Sequence, residues 1–210
     1  MGLMTDDVTR EISIDSRRSK TRFQVVYADT DTLSSFLNRN CFNFFMKEFE
    51  TLGAEIIIPK MVLNELYHDD KRTGIRTEPI KQMIRAKRIF EEDIDPFSDK
   101  ADTYYELCEI MDAGEASALT LAKHSDRIAV VASNNMSDIA RYARKNDIEL
   151  WPTARILQEA VDLKIMNMDQ ADDLWKKMKK DGLRLPLDET FKAYYERNVL
   201  IENKIRKEVS

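Results

Sequence analysis

Phe23-Gln24-Val25-Val26-Tyr27-Ala28-Asp29-Thr30-Asp31-Thr32-Leu33 joins a short apolar, β-branched run to a knot of acids and hydroxyls. A run of this length is consistent with a strand buried on both faces, and Asp and Thr are the side chains that start helices. The same grammar recurs twice. Ile56-Ile57-Ile58 is followed by Pro59 and a helical pattern carrying Glu65, and Ile128-Ala129-Val130-Val131-Ala132 runs into Ser133-Asn134-Asn135-Met136-Ser137-Asp138. A further acid, Glu115, opens the small-residue helix 114–122. Short apolar strands alternating with helices predict an α/β fold with a parallel sheet and right-handed crossovers. Open sheets of this kind bind ligands at the carboxyl ends of their strands. Acids arriving there from distant parts of the chain are therefore placed to converge.

Working outward, a helix is expected from Thr32 to about Arg39, capped by Thr30 or Asp31. Phe42, Phe44, Phe45, Met46 and Phe49 then form a helical apolar stripe that reads as core, stopped by Gly53. Pro59 suits the first turn of the helix that follows. Residues 79–112 read as two helices around the acidic connection Glu91-Glu92-Asp93-Ile94-Asp95-Pro96, the second over Asp99–Met111. Beyond them come a helix to Lys123, a strand 127–132, a helix Met136–Lys145, a strand 148–151 and a helix from Thr153 to about Leu163. Asp169 is expected to cap a helix to about Lys180, and a terminal helix covers 187–198. The division that follows is an N-terminal arm over 1–22, a main domain over 23–165 and a helical extension over 166–210 packed on it.

The chain has 210 residues, enough to bury a core without staples. Its apolar content of 43% and charged content of 34%, with five Gly and five Pro, fit a helix-rich globular class rather than disorder. Cys41 and Cys108 have no metal-ligand spacing and are expected as reduced core thiols of a cytoplasmic protein. No apolar run is long enough for a membrane span, and the polar N-terminus does not read as a secretory signal. The net charge of −5 argues against a generic nucleic-acid coat. Locally the balance differs: seven cations stand between Lys71 and Arg88 against the single acid Glu78. A helix from about Pro79 would align Lys81, Arg85 and Arg88, either as a phosphate-tracking strip or as an ordinary solvated face.

Each acid taken singly has a structural explanation. Asp29 or Asp31 caps a helix; Asp112-Ala113-Gly114-Glu115 has capping-box spacing; Glu65 is a helix surface residue; Asp138 favours a helix N-terminus. Jointly they call for more. Two carboxylates 4 Å apart repel by about 4 kcal/mol at an effective dielectric near 20, so three or four in one crevice require protons or a cation. Mg²⁺ or Mn²⁺ suits all-oxygen ligands, and such an ion promotes hydrolysis of phosphodiesters. No Walker loop, dinucleotide fingerprint or nucleophile elbow is present. His68 and His124 are the only histidines and are expected at the surface near helix ends, so neither a zinc cage nor a histidine triad is available.

Four segments, in order, resemble the motifs of the PIN domain family, the nuclease fold of many prokaryotic toxins and eukaryotic RNA-processing enzymes. Val26-Tyr27-Ala28-Asp29-Thr30-Asp31-Thr32-Leu33 is similar to the family's opening strand and D-T-N/D element. Ile58-Pro59-Lys60-Met61-Val62-Leu63-Asn64-Glu65-Leu66 is similar to the segment bringing its glutamate. Gly114-Glu115-Ala116-Ser117-Ala118-Leu119 resembles its third motif, and Val131-Ala132-Ser133-Asn134-Asn135 its fourth. The resemblance spans about residues 23–165 and implies a three-layer α/β/α fold with extra C-terminal helices. It implies a metal-dependent endoribonuclease in which Asp29, Glu65, Glu115 and Asp138 hold Mg²⁺ or Mn²⁺ and activate water. Asp31, Ser133 and Asn135 would give polar support, and the strip Lys81, Arg85 and Arg88, read from the charge pattern and not from the resemblance, would face the RNA. The implied partners are an RNA substrate, an antitoxin-like protein and a second copy of the chain. The departure is Asn135, where many members place a fourth aspartate; Asp138, one turn on, is the compensating acid. The rival expectation is a catalytically inactive PIN-like module that binds RNA or protein.

Overall fold

A computed structural model describes residues 23–73 and 77–208, with the side chains of residues 69–73, 138, 202, 203 and 205–208 outside that description. The expected arm over 1–22 also lies outside the described residues. Five strands form one wholly parallel sheet: β1 (Val25–Ala28), β2 (Glu55–Pro59), β3 (Phe90–Glu92), β4 (Ala129–Ala132) and β5 (Glu149–Leu150). Their order across the sheet is β3-β2-β1-β4-β5. The chain thus builds outward from β1 to one edge, then crosses back to lay β4 on the other side of β1. Val25 to Ala28 pair in register with Ala129 to Ala132, and Val25 to Tyr27 with Glu55 to Ile57.

The described helices are α1 (Thr30–Leu37), α2 (Phe42–Leu52), α3 (Lys60–Thr73), α4 (Glu78–Arg85), α5 (Asp99–Cys108), α6 (Ala113–Lys123), α7 (Met136–Lys145), α8 (Thr153–Asp162), α9 (Met168–Lys180) and α10 (Phe191–Glu208). Alternation along the strands sorts them into two layers, because successive side chains point to opposite faces. Val26, Ala28, Ile56, Ile58, Val130 and Ala132 pack with α1, α2, α3, α8, α9 and α10. Val25, Tyr27, Ile57 and Val131 pack on the other side with α5, α6 and α7. The result is a three-layer α/β/α fold.

Of the expected stripe, Phe42, Phe45, Met46 and Phe49 are buried and Phe44 is half-buried, and Gly53 ends α2 in the left-handed conformation at φ 72°. Trp175, Phe191 and Tyr194 close the same core from the C-terminal helices. Several expectations need correction. The stretch 79–112 holds a strand, β3, as well as two helices, and α5 stops at Cys108. Strand β3 is a three-residue edge strand with Phe90 and Glu91 exposed, so it lacks any apolar signature. The cap of α9 is Asn167, which forms a reciprocal capping box with Gln170, rather than Asp169. Cys41 is buried but Cys108 is exposed. His124 does cap α6, whereas His68 is exposed within α3, which continues to Thr73.

Candidate active site

The crossover between β1 and β4 is a topological switch point, where loops leaving adjacent strands diverge and open a crevice. Asp29 leaves β1 there, and its amide donates to Ala132 O at the end of β4 at 3.0 Å. Asp29, not Thr30 or Asp31, is the cap of α1: its Oδ1 accepts the Thr32 amide at 2.8 Å. The helix therefore begins two residues earlier than expected. This cap leaves the second oxygen unaccounted for. Oδ2 is buried and makes no well-aligned hydrogen bond among the described residues. Burial pushes the Asp29 carboxyl up to about 7, with the Ser133 hydroxyl and the Thr32 amide opposing the rise and Asp31 adding to it.

Glu65 comes to the same place from α3. Its Oε2 accepts a short hydrogen bond from the Thr30 hydroxyl, the residue next to Asp29. On its other side the carboxylate lies on Gly114, so closely that a Cβ built there would stand 2.7 Å from Oε2 and 3.2 Å from both Cδ and Oε1. Glu115 follows Gly114 in the first turn of α6 and is buried. The capping box suggested by sequence spacing does not form, because the side chain of Asp112 makes no capping bond. Asp29, Glu65 and Glu115 are thus linked through Thr30 and Gly114.

Ser133, fully buried at the end of β4, accepts the Asn135 amide at 3.2 Å. Asn134 ties this turn to α8, its Oδ1 accepting the Thr153 amide at 2.9 Å. Asn135 stands at the cap position of α7 without a capping bond from its side chain; its Oδ1 instead accepts the Ser137 hydroxyl at 3.0 Å. Asp31 is exposed in the first turn of α1. Asp138 belongs to α7, and its side chain lies outside the described residues. Among the described residues, no group of three or more His, Cys, Asp or Glu side chains is gathered tightly enough to hold a metal ion.

The basic strip is divided. Helix α4 ends at Arg85, so Arg88 does not extend the face that Lys81 and Arg85 begin. Arg88 instead grips Glu50 of α2 with two bonds of 2.7 and 2.8 Å. Arg85 reaches Glu78 at 3.3 Å, and Lys81 lies 5.0 Å from the ring centre of Tyr67, two residues beyond Glu65. The sequence reading missed Tyr104 of α5, whose hydroxyl is held above its ordinary range by burial first, then by Cys108 and by the charge of Glu65. Thr30, expected as a cap and as part of the D-T-N/D element, bonds Glu65. The D-T-D triplet was the available signal, since any residue beside the first acid shares its crevice.

A family model described as PIN domain matches the chain over residues 25–195. The chain belongs to the PIN domain family. The match runs through α9 and into α10, elements that carry part of the common core. Among solved structures, this PIN domain is similar to that described as VapBC2 from Rickettsia felis bound to a DNA fragment from their promoter. The identity is 20%, the TM-score 0.43, and the likeness covers 61% of this chain and 98% of that one. No curated protein matches the chain.

Proposed function

We propose that this PIN domain is a divalent-metal-dependent endoribonuclease of the cytoplasm. The observation that carries the reading is the orphaned Oδ2 of Asp29. A buried carboxylate oxygen without a well-aligned hydrogen bond is costly unless a proton or a cation meets it, and in this reading Glu65 and Glu115 would complete the donor set. An all-oxygen donor set of this kind fits Mg²⁺ or Mn²⁺. Such an ion, when bound, supplies a more acidic water and offsets charge on the phosphate. Asp29, Glu65 and Glu115 would hold it, with Asp138 as the acid that stands in for Asn135. The Ser133 hydroxyl orients the β4 turn. Burial raises the Asp29 carboxyl to about 7, and a cation beside it would favour its ionised form. Lys81 and Arg85 would steady the RNA backbone; the exposed Arg85–Glu78 pair is weak enough to exchange for a phosphate.

In this reading residues 23–165 form the nuclease unit, 166–210 a helical extension packed on it, and an antitoxin-like protein and a second copy of the chain are its partners. The test is cleavage of single-stranded RNA by the purified chain with Mg²⁺, Mn²⁺ or chelator, with Asp29→Asn alongside. Metal-dependent cleavage by wild type and its loss in the variant support the proposal. One observation favours a second reading, a module that binds RNA or protein without cutting: no tight three-acid group exists among the described residues. RNA retention without hydrolysis under every divalent metal would select that reading.

A further inference from the structure

We propose that Thr30 and Gly114 are positioning residues that fix the Glu65 carboxylate in the site, an inference that rests on the reading of Glu65 as a metal ligand. A glutamate half-exposed on a helix has three side-chain torsions and ordinarily samples many rotamers. Here its carboxylate is bounded on two sides. The Thr30 hydroxyl donates to Oε2 from the first turn of α1, one residue from Asp29. Gly114 receives the carboxylate from the other side, at a distance that any larger residue would deny it.

Backbone conformation does not explain the glycine. Gly114 lies within α6 and, unlike Gly53 and Gly182, does not have a positive φ. Glycine in a helix costs stability relative to alanine, so α6 carries at its second position a residue that weakens it. The space above its Cα is what glycine provides. An added Cβ at 2.7 Å from Oε2 forces movement, and the atoms that give way most easily are those at the end of the flexible Glu65 side chain. Alanine at 114 therefore leaves the helix intact and displaces the carboxylate. Helix stability and site geometry respond to this substitution in opposite directions.

The experiment compares wild type, Gly114→Ala, Thr30→Val, Thr30→Ser and Glu65→Gln in the full chain. Mn²⁺ affinity is measured by calorimetry, thermal midpoint by unfolding, and the Glu65 carboxyl environment by its carbon-13 shift in the metal-free protein. Outer-shell substitutions ordinarily weaken metal binding by about 10–100-fold. Gly114→Ala is expected to lose Mn²⁺ affinity by about ten-fold or more with an unchanged or raised midpoint and a shifted Glu65 signal. Thr30→Val is expected to lose affinity similarly, with Thr30→Ser restoring it. Gly114→Ala added to Glu65→Gln is expected to cost no further affinity. Wild-type affinity together with an unmoved Glu65 signal in Gly114→Ala overturns the proposal, as does a loss that follows a fallen midpoint. If wild type binds no Mn²⁺, the nuclease reading fails by itself, and the carbon-13 shift in the metal-free variants still decides the positioning role.

Discussion

Asp29 and Glu48, two of the buried carboxyls among the described residues, sit in contrasting surroundings. Asp29 ends β1 at the switch point, caps α1 with one oxygen, and precedes Thr30, whose hydroxyl binds Glu65 of α3. Glu48 lies in α2 among the aromatic core, fully buried, with neither oxygen hydrogen-bonded among the described residues. Burial pushes Glu48 well above the usual carboxylate range, and Glu159 of α8 pushes it further. Both groups carry the mark of a perturbed acid, but Glu48 meets the like charge of Glu159 within the core, whereas Asp29 lies beside the Ser133 hydroxyl and next to Thr30, which bonds Glu65. A buried, raised carboxyl is therefore a weak sign of a site on its own. Convergence from several strand ends at a topological switch is the stronger sign.

The sharpest way to break this contrast is to neutralise each acid. Asp29→Asn is expected to lower RNA cleavage by on the order of 10³-fold or more while the thermal midpoint holds or rises. Asparagine caps a helix as well as aspartate does, and it removes a buried charge. A variant that cleaves at the wild-type rate would dissolve the distinction between the two carboxyls.

Glu48→Met should do the converse, leaving cleavage unchanged and stabilising the fold by about 1–4 kcal/mol near pH 8, since apolar replacement of buried ionisable groups is often favourable. The sign follows from linkage. Glu48 binds its proton more tightly folded than unfolded, so its contribution is fully present below about 4.5 and is lost as pH rises through its folded value. The gap in midpoint between Glu48→Met and wild type is expected to widen from pH 5 to pH 8. A constant gap across that range would mean that Glu48 finds a partner when ionised.

Asp138 sharpens the comparison on the side of Asp29. If it supplies the acid that Asn135 lacks, Asp138→Asn weakens Mn²⁺ binding by about ten-fold and Asn135→Asp strengthens it. If it is only a first-turn acid, the substitution changes stability by about 0.3–1 kcal/mol and metal binding not at all. The smallest effect separates the two duties of Asp29 itself. Asp29→Ala should be less stable than Asp29→Asn by about 1 kcal/mol, the worth of a helix cap, with both equally inactive. Equal stability would show that the Thr32 bond contributes nothing.

Local chemistry made much of the fold legible. The apolar runs at Val25, Ile56 and Val130 announced central strands, because a parallel sheet covered on both faces needs near-continuous hydrophobic sequence. The Phe42–Phe49 stripe announced a core helix, and Gly53 its end. What the edge required was different: β3 is formed by Phe90-Glu91-Glu92, held by pairing with β2 and not by burial, so no hydrophobic pattern marks it. The break between Arg85 and Arg88 was equally hidden, since nothing in their spacing shows that the helix stops and that Glu50 captures the second arginine.

Sequence by itself determined which residue types stand behind the strands, their order and their resemblance to the PIN family, because strand burial and helix capping act over a few neighbouring residues. Tertiary structure alone decided which of those acids meet. It took the β4 crossover to bring Ser133 beside Asp29. It took the packing of α3 against α6 to press Glu65 onto Gly114. Contacts between residues 35 or 49 positions apart along the chain depend on how whole elements pack, and that is a property of the assembled sheet and its two helical layers rather than of any one segment.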